Sequence, residues 1–145
     1  PDRHIDRHVL STDTAGSTVG GLLLANFDNA TTYLSNSVAW GNDTDPATKD
    51  LYVTGPNIFL TRVHYGSKGG GQAAGNVSPG TGDPGFVAVG DPHPPPASIL
   101  VDSGVAGPEG GSGDHDADGA TRVKGPAVDL GAFESDAIFK GDFEL

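Results

Sequence analysis

Asp114-His-Asp116-Ala-Asp118-Gly119 has the spacing most suggestive of chemistry in this 145-residue chain. Three carboxylates at alternate positions can converge on one Ca²⁺ when a glycine allows a sharp turn. The twelfth position counted from Asp114 is Gly125, so the bidentate Glu of a helix–loop–helix calcium site is absent. The competing reading is a tight turn at Asp118-Gly119, with Arg122 pairing Asp116 or Asp118 and pinning the loop to a final strand. Both readings stand at this level, so the cofactor is either none or Ca²⁺.

Other clusters carry less. Asp2-Arg-His4-Ile-Asp6-Arg-His8 repeats an Asp-Arg-His unit. Residues four apart on a strand lie roughly 13 Å from each other, too far to share an ion, so this stretch reads as a partly broken layer of sheet. His64, His93 and His115 stand alone and read as structural or surface residues. Arg62 and Lys68, with Asp43, Asp45 and Asp50 nearby, are the only charges near a strand that resemble a carbohydrate-cleaving set. No carboxylate pair is spaced as glycoside hydrolysis requires. Gly69 to Gly71 lacks the following Lys-Ser/Thr of a phosphate loop, and Gly-x-Ser-x-Gly is absent. No catalytic residue is assigned. The sequons at Asn29, Asn42 and Asn76 carry meaning only in a chain made where N-glycosylation occurs.

The composition tells what kind of scaffold holds these groups. Of the 19 acidic residues 16 are Asp, Met is absent, and Gly and Pro together number 34. Asp and Gly serve turns, whereas Glu and Met serve helices, so an all-β chain is expected. The formal charge of −11 leaves no basic stripe for nucleic acid. No apolar run nears the roughly 20 residues of a membrane span. Without cysteine there is no disulfide, thiolate site or cysteine nucleophile. The first residue is Pro1, which suggests a processed piece of a longer protein.

Short apolar runs at Leu22 to Leu24, Tyr33 to Trp40, Leu51 to Val53 and Ile58 to Tyr65 alternate with turn residues. Leu34 to Gly41 aligns with Phe59 to Gly66 at an offset of 25, matching Val38 with Val63 and Trp40 with Tyr65. Such a period is the mark of a solenoid, whose layers bury their faces against one another. These four residues are the expected layer residues, with Trp40 directly above Tyr65. Aromatic residues at equal positions, Tyr33 and Phe59 included, would form a ladder or stack on sugars. Ser67 to Gly85 reads as a long loop, Ile99 to Val101 as a strand, and Val128 to Glu134 as a half-buried last strand.

The second half adds a resemblance. Asn36-Ser-Val-Ala-Trp40-Gly-Asn42, Gly75-Asn-Val with Asp83-Pro-Gly-Phe86, Pro95 to Gly104, and Asp116 to Arg122 followed by Val128-Asp129-Leu-Gly131-Ala-Phe133-Glu134 occur in one order. That order resembles the C-terminal region of bacterial exported right-handed parallel β-helix proteins of the choice-of-anchor, pectate-lyase-like type. Phe133 stands where a Tyr is usual, and the Gly expected near Pro96 is missing. The resemblance implies the end of a right-handed parallel β-helix with a loop-rich C-terminal cap. Residues 1–66 would be terminal layers, 67–134 the wrap and cap of the same domain, and 135–145 a tail. Arg122 and Asp129, with Asp116 and Asp118, would fasten the cap. It also implies a secreted or cell-surface bacterial protein with a structural or adhesive role. The expected partners are further copies stacked end to end, or surface glycans; the alternative is a fragment of a polysaccharide-binding or polysaccharide-degrading enzyme.

Overall fold

A computed structural model describes residues 3–4, 10–11, 19–42, 49–71, 82–88 and 90–135. Seven strands form: β1 (Arg3–His4), β2 (Leu10–Ser11), β3 (Val19–Ala25), β4 (Thr32–Ala39), β5 (Lys49–Thr54), β6 (Ile58–Tyr65) and β7 (Lys68–Gly70). The chain is all-β, without a helix among the described residues and therefore without one long and apolar enough to cross a membrane.

Every pairing between named strands is parallel. In one sheet β1 and β2 lie along β4, with β6 on the far side of β4; the other sheet runs β3-β5-β7. From β3 onward, consecutive strands alternate between the two sheets. A parallel pair needs a crossover, and here the crossover from β4 to β6 is itself β5, a strand of the other sheet. Leu24, Leu34, Ala39, Leu51, Val53, Ile58, Leu60 and Val63 from both sheets form one core, with Leu22 and Tyr65 against it. Like sits over like: Leu34 opposes Leu60 and Leu24 opposes Val53. Each such leucine stabilises the fold by about 1.5–3 kcal/mol through burial.

The register corrects the expected repeat by one residue. Thr32 opposes Ile58, Leu34 opposes Leu60 and Ala39 opposes Tyr65, an offset of 26 rather than 25. Trp40 therefore does not lie above Tyr65. The indole stacks on His64 instead, centroids 5.4 Å apart. Beneath it comes Gly66, where an added Cβ would stand 3.2 Å from the Trp40 ring and 2.7 Å from Asp50 Oδ2. A slip of one residue turns every side chain to the opposite face, which explains why Val38 and Val63 serve different cores. Val63 joins the core between the sheets, whereas Val38 packs with Leu100 and Leu130, flanked by Trp40 and Phe86. The aromatic pair that does stack in register is Tyr33 over Phe59, at 5.5 Å.

Both long strands bend at one position. Asn36 (φ 47°) and Arg62 (φ 54°) are left-handed and 26 apart, and the ladder skips them. Asn tolerates this conformation; Arg62 takes it at a cost of order 1–2 kcal/mol.

Beyond β6 the sequence reading needs three corrections. Ser67 to Gly85 is not loop throughout, because β7 pairs with β5, Tyr52 opposite Gly69. Its Lys-Gly-Gly sequence has little strand propensity, and pairing imposes the conformation: a Cβ at Gly69 would come 2.8 Å from the Tyr52 ring. Ile99 to Val101 and Val128 to Glu134 are turns and bends, not strands. Their hydrogen bonds scatter over separate segments: Leu130 N donates to Leu100 O, Gly131 N to Asn36 O and Gly104 N to Val128 O. Left-handed Asp102 and Gly131 interrupt any extended run. Residues 82–135 thus pack on the outer flank of β4 and β6, where Val38 meets Leu100 and Leu130, Asn36 meets Val105 and His64 meets Gly82.

Candidate functional site

The three aspartates of the expected calcium run point to different places. Asp116 is buried, and its Oδ1 accepts from the amides of Asp118 (3.0 Å) and Ala120 (2.8 Å) while Oδ2 accepts from Glu134 N (3.3 Å). The Lys124 ammonium lies 4.0 Å from the same oxygen. Asp118 turns outward to His93, and Asp114 is exposed, its carbonyl accepting from Arg122 N. No group of three His, Asp or Glu side chains among the described residues is placed to hold a metal ion. The turn closed by Gly119 N on Asp116 O separates the carboxylates.

Arg122 is buried, and its partner is Glu134, at 3.4 Å, rather than Asp116 or Asp118. The same Nη1 also donates to the carbonyls of Ala132 and Gly131. Glu134 accepts from Asp129 N through both oxygens. Asp129 accepts from Asp102 N (2.7 Å) and Ser135 N (2.6 Å). Burial, reinforced by the Asp129 charge, pushes Glu134 up to about 7; burial likewise raises Asp129. Asp116 moves the other way: burial opposes ionisation, but its backbone donors together outweigh it. These side chains tie segments 100–105, 114–122 and 128–135 into one unit.

At the surface of that unit lies a cluster that spacing alone did not reveal. His93 Nδ1 meets Asp91 Oδ1, and its Nε2 meets Asp118 Oδ2 at 2.8 Å. The ring lies against Phe133, centroids 4.2 Å apart. Asp91 Oδ1 also accepts from His93 N at 3.2 Å, which folds this carboxylate back along its own chain. The Asp91 and Asp118 hydrogen bonds hold the His93 proton above its ordinary range, and His93 holds Asp91 below the usual carboxylate range. An imidazolium with a carboxylate on each nitrogen has no lone pair to act as a base; it can fasten two loops or release a proton. Read as an isolated histidine, His93 gave no signal. The Asp-Pro-His spacing, which permits an Asx turn, was the available cue.

Two further polar fixtures serve the layers. Asp50, fully buried, accepts from Asn42 N (2.6 Å), Ser67 N (2.9 Å) and Ser67 Oγ (3.0 Å), joining the turns after β4 and β6. His64 Nε2 meets Gly82 O at 2.9 Å. The Tyr33 and Phe59 rings turn one face each toward the other, stacking layer on layer. Asp2, Asp6, His8, Asp43, Asp45, Asn76 and residues 136–145 of the tail lie outside the described residues; of His4, only the strand backbone is described.

Comparison of the chain with protein-family models, with curated proteins and with solved structures finds no match in any of the three.

Proposed function

We propose that this chain is the terminal part of a right-handed parallel β-helix and serves a secreted or cell-surface bacterial protein as a structural or adhesive module. The observation that carries the reading is the constant 26-residue register of β4 on β6, with left-handed Asn36 and Arg62 at one layer position. A solenoid builds each layer on the last in this manner. The irregular segment 82–135 then acts as a side brace that shields Val38 and His64. Parallel stacking of layers is also the means by which further copies would add end to end, at β6 and β7.

Static light scattering over rising concentration, alongside glycan-array binding and absorbance of unsaturated products from polyuronates, tests the role. Association with concentration and no product agree with a structural module. Product formation supports the polysaccharide-degrading alternative, and a monomer at every concentration removes the stacking of copies.

A further inference from the structure

Two Asp-Pro peptide bonds among the described residues sit in the same local turn. Asp83 Oδ1 accepts from Gly85 N at 2.8 Å, and Asp91 Oδ1 accepts from His93 N at 3.2 Å. In each, the side-chain carboxylate folds back over the bond that joins the aspartate to its proline. Such a bond is chemically predisposed to break. The carboxylate can close a five-membered ring on its own carbonyl carbon. The proline nitrogen, carrying an extra alkyl group, departs readily once protonated. Among the described residues no side-chain proton donor rests on the Asp83 carboxylate, whereas His93 Nδ1 rests on that of Asp91 and is its nearest proton donor to the bond. Asp118 on Nε2 and Phe133 against the ring fix the imidazole there, an arrangement of orienting carboxylate, histidine and nucleophile.

We propose that the chain cuts itself between Asp91 and Pro92, with Asp91 as nucleophile, His93 as proton donor and Asp118 as the residue that positions His93. An Asp91 carboxylate oxygen bonds to the Asp91 main-chain carbonyl carbon. The bond from that carbon to Pro92 N breaks, and its electron pair stays on nitrogen, which takes the proton from His93. The products are a cyclic anhydride at Asp91 and a free amino terminus at Pro92. One water then opens the anhydride to two carboxylates; of the two protons released, one returns to His93 and one goes to solvent. Nothing is oxidised or reduced.

Among the described residues the groups facing His93 are Asp91 from its own loop, Asp118 from the 114–122 turn and the Phe133 ring from the C-terminal stretch. Cleavage needs Asp91 ionised and His93 protonated, so its rate is greatest in mild acid and falls as His93 loses its proton. Leu100 and Leu130 hold the downstream piece on Val38, so the cut chain stays assembled and only denaturing conditions display two fragments.

The test follows the full chain between about pH 4.5 and pH 8 by denaturing gel and intact mass. Asp83–Pro84 in the same molecule is the control. In the folded chain Asp91–Pro92 should break on the order of a hundredfold faster than Asp83–Pro84, the scale of one positioned proton donor. In urea the two rates should converge. His93→Gln should abolish the excess, and Asp118→Asn should move the alkaline fall to lower pH. Hydroxylamine should trap Asp91 as its hydroxamate. An intact chain, equal rates at the two bonds in the folded protein, or an undiminished rate in His93→Gln would overturn the proposal. An unshifted profile in Asp118→Asn would remove Asp118 from it.

Discussion

Asn36 and Val105, 69 positions apart, exchange a pair of hydrogen bonds: Asn36 Nδ2 donates to Val105 O and Val105 N donates to Asn36 Oδ1, each 2.9 Å. The bend that turns β4 is thereby also the anchor of the flanking segment. Gly131 N donates to the Asn36 carbonyl, so both stretches of that segment meet at one residue.

Asn36→Ala should cost about 2–4 kcal/mol, from two partly buried hydrogen bonds and a left-handed site without a residue suited to it. Urea unfolding measures the loss. Hydrogen exchange should quicken across residues 100–105 and 128–131 before it does in β5. Unchanged stability would mean that Asn36 is not the anchor.

Gly66→Ala tests the contact beneath Trp40. The new methyl would meet the indole and Asp50 Oδ2 at 3.2 and 2.7 Å, and strain of this kind costs about 1–3 kcal/mol. The emission of Trp40, the only tryptophan, should shift as its ring moves off His64. Normal stability and emission would place Gly66 elsewhere.

The ionisable groups of the flanking unit predict greatest stability in mild acid. Glu134 and Asp129 have raised pKa values in the fold, so both oppose folding once ionised. The Glu134 contribution is present below about 4.5 and lost as pH rises through about 7. His93 is also raised, so its clasp holds below about 6.5 and is lost as pH climbs through its higher folded value. Asp91 and Asp116, both lowered, act oppositely, their support failing as pH falls through the acidic range. Thermal midpoints should therefore decline from about pH 5 to pH 8, and Glu134→Gln should flatten that decline. A midpoint rising over the same interval would contradict these shifts.

Calcium should leave the protein unchanged. Asp116 spends its oxygens on backbone amides and Asp118 on His93. Melting curves with calcium and with a chelator should coincide; a midpoint raised by calcium would require Asp114, Asp116 and Asp118 to converge after all.

The strands β3 to β6 were legible because apolar runs between Gly, Asn and Asp turns leave few alternatives. The register was not. Matching Trp40 to Tyr65 and Gly41 to Gly66 favours bulky and small residues at like positions, whereas the fold matches Leu34 with Leu60 and places Gly66 under Trp40. β7 escaped notice because Lys-Gly-Gly forms a strand only where β5 supplies a template. For Arg122 and Asp129 only the need of a partner was legible, since charged groups among turn residues do not stay unpaired. Glu134 was not, because its pairing with Arg122 depends on a bend at Gly131 that no local pattern announces.

The parallel register is most directly tested with engineered cysteines in this cysteine-free chain. Parallel neighbours lie about 5 Å apart, within reach of a disulfide. Mild oxidation should close a bond in Tyr33→Cys/Phe59→Cys and leave Tyr33→Cys/Ile58→Cys open, because Ile58 faces the interior. Closure of the second pair in place of the first, or of neither, would contradict the layer-on-layer arrangement.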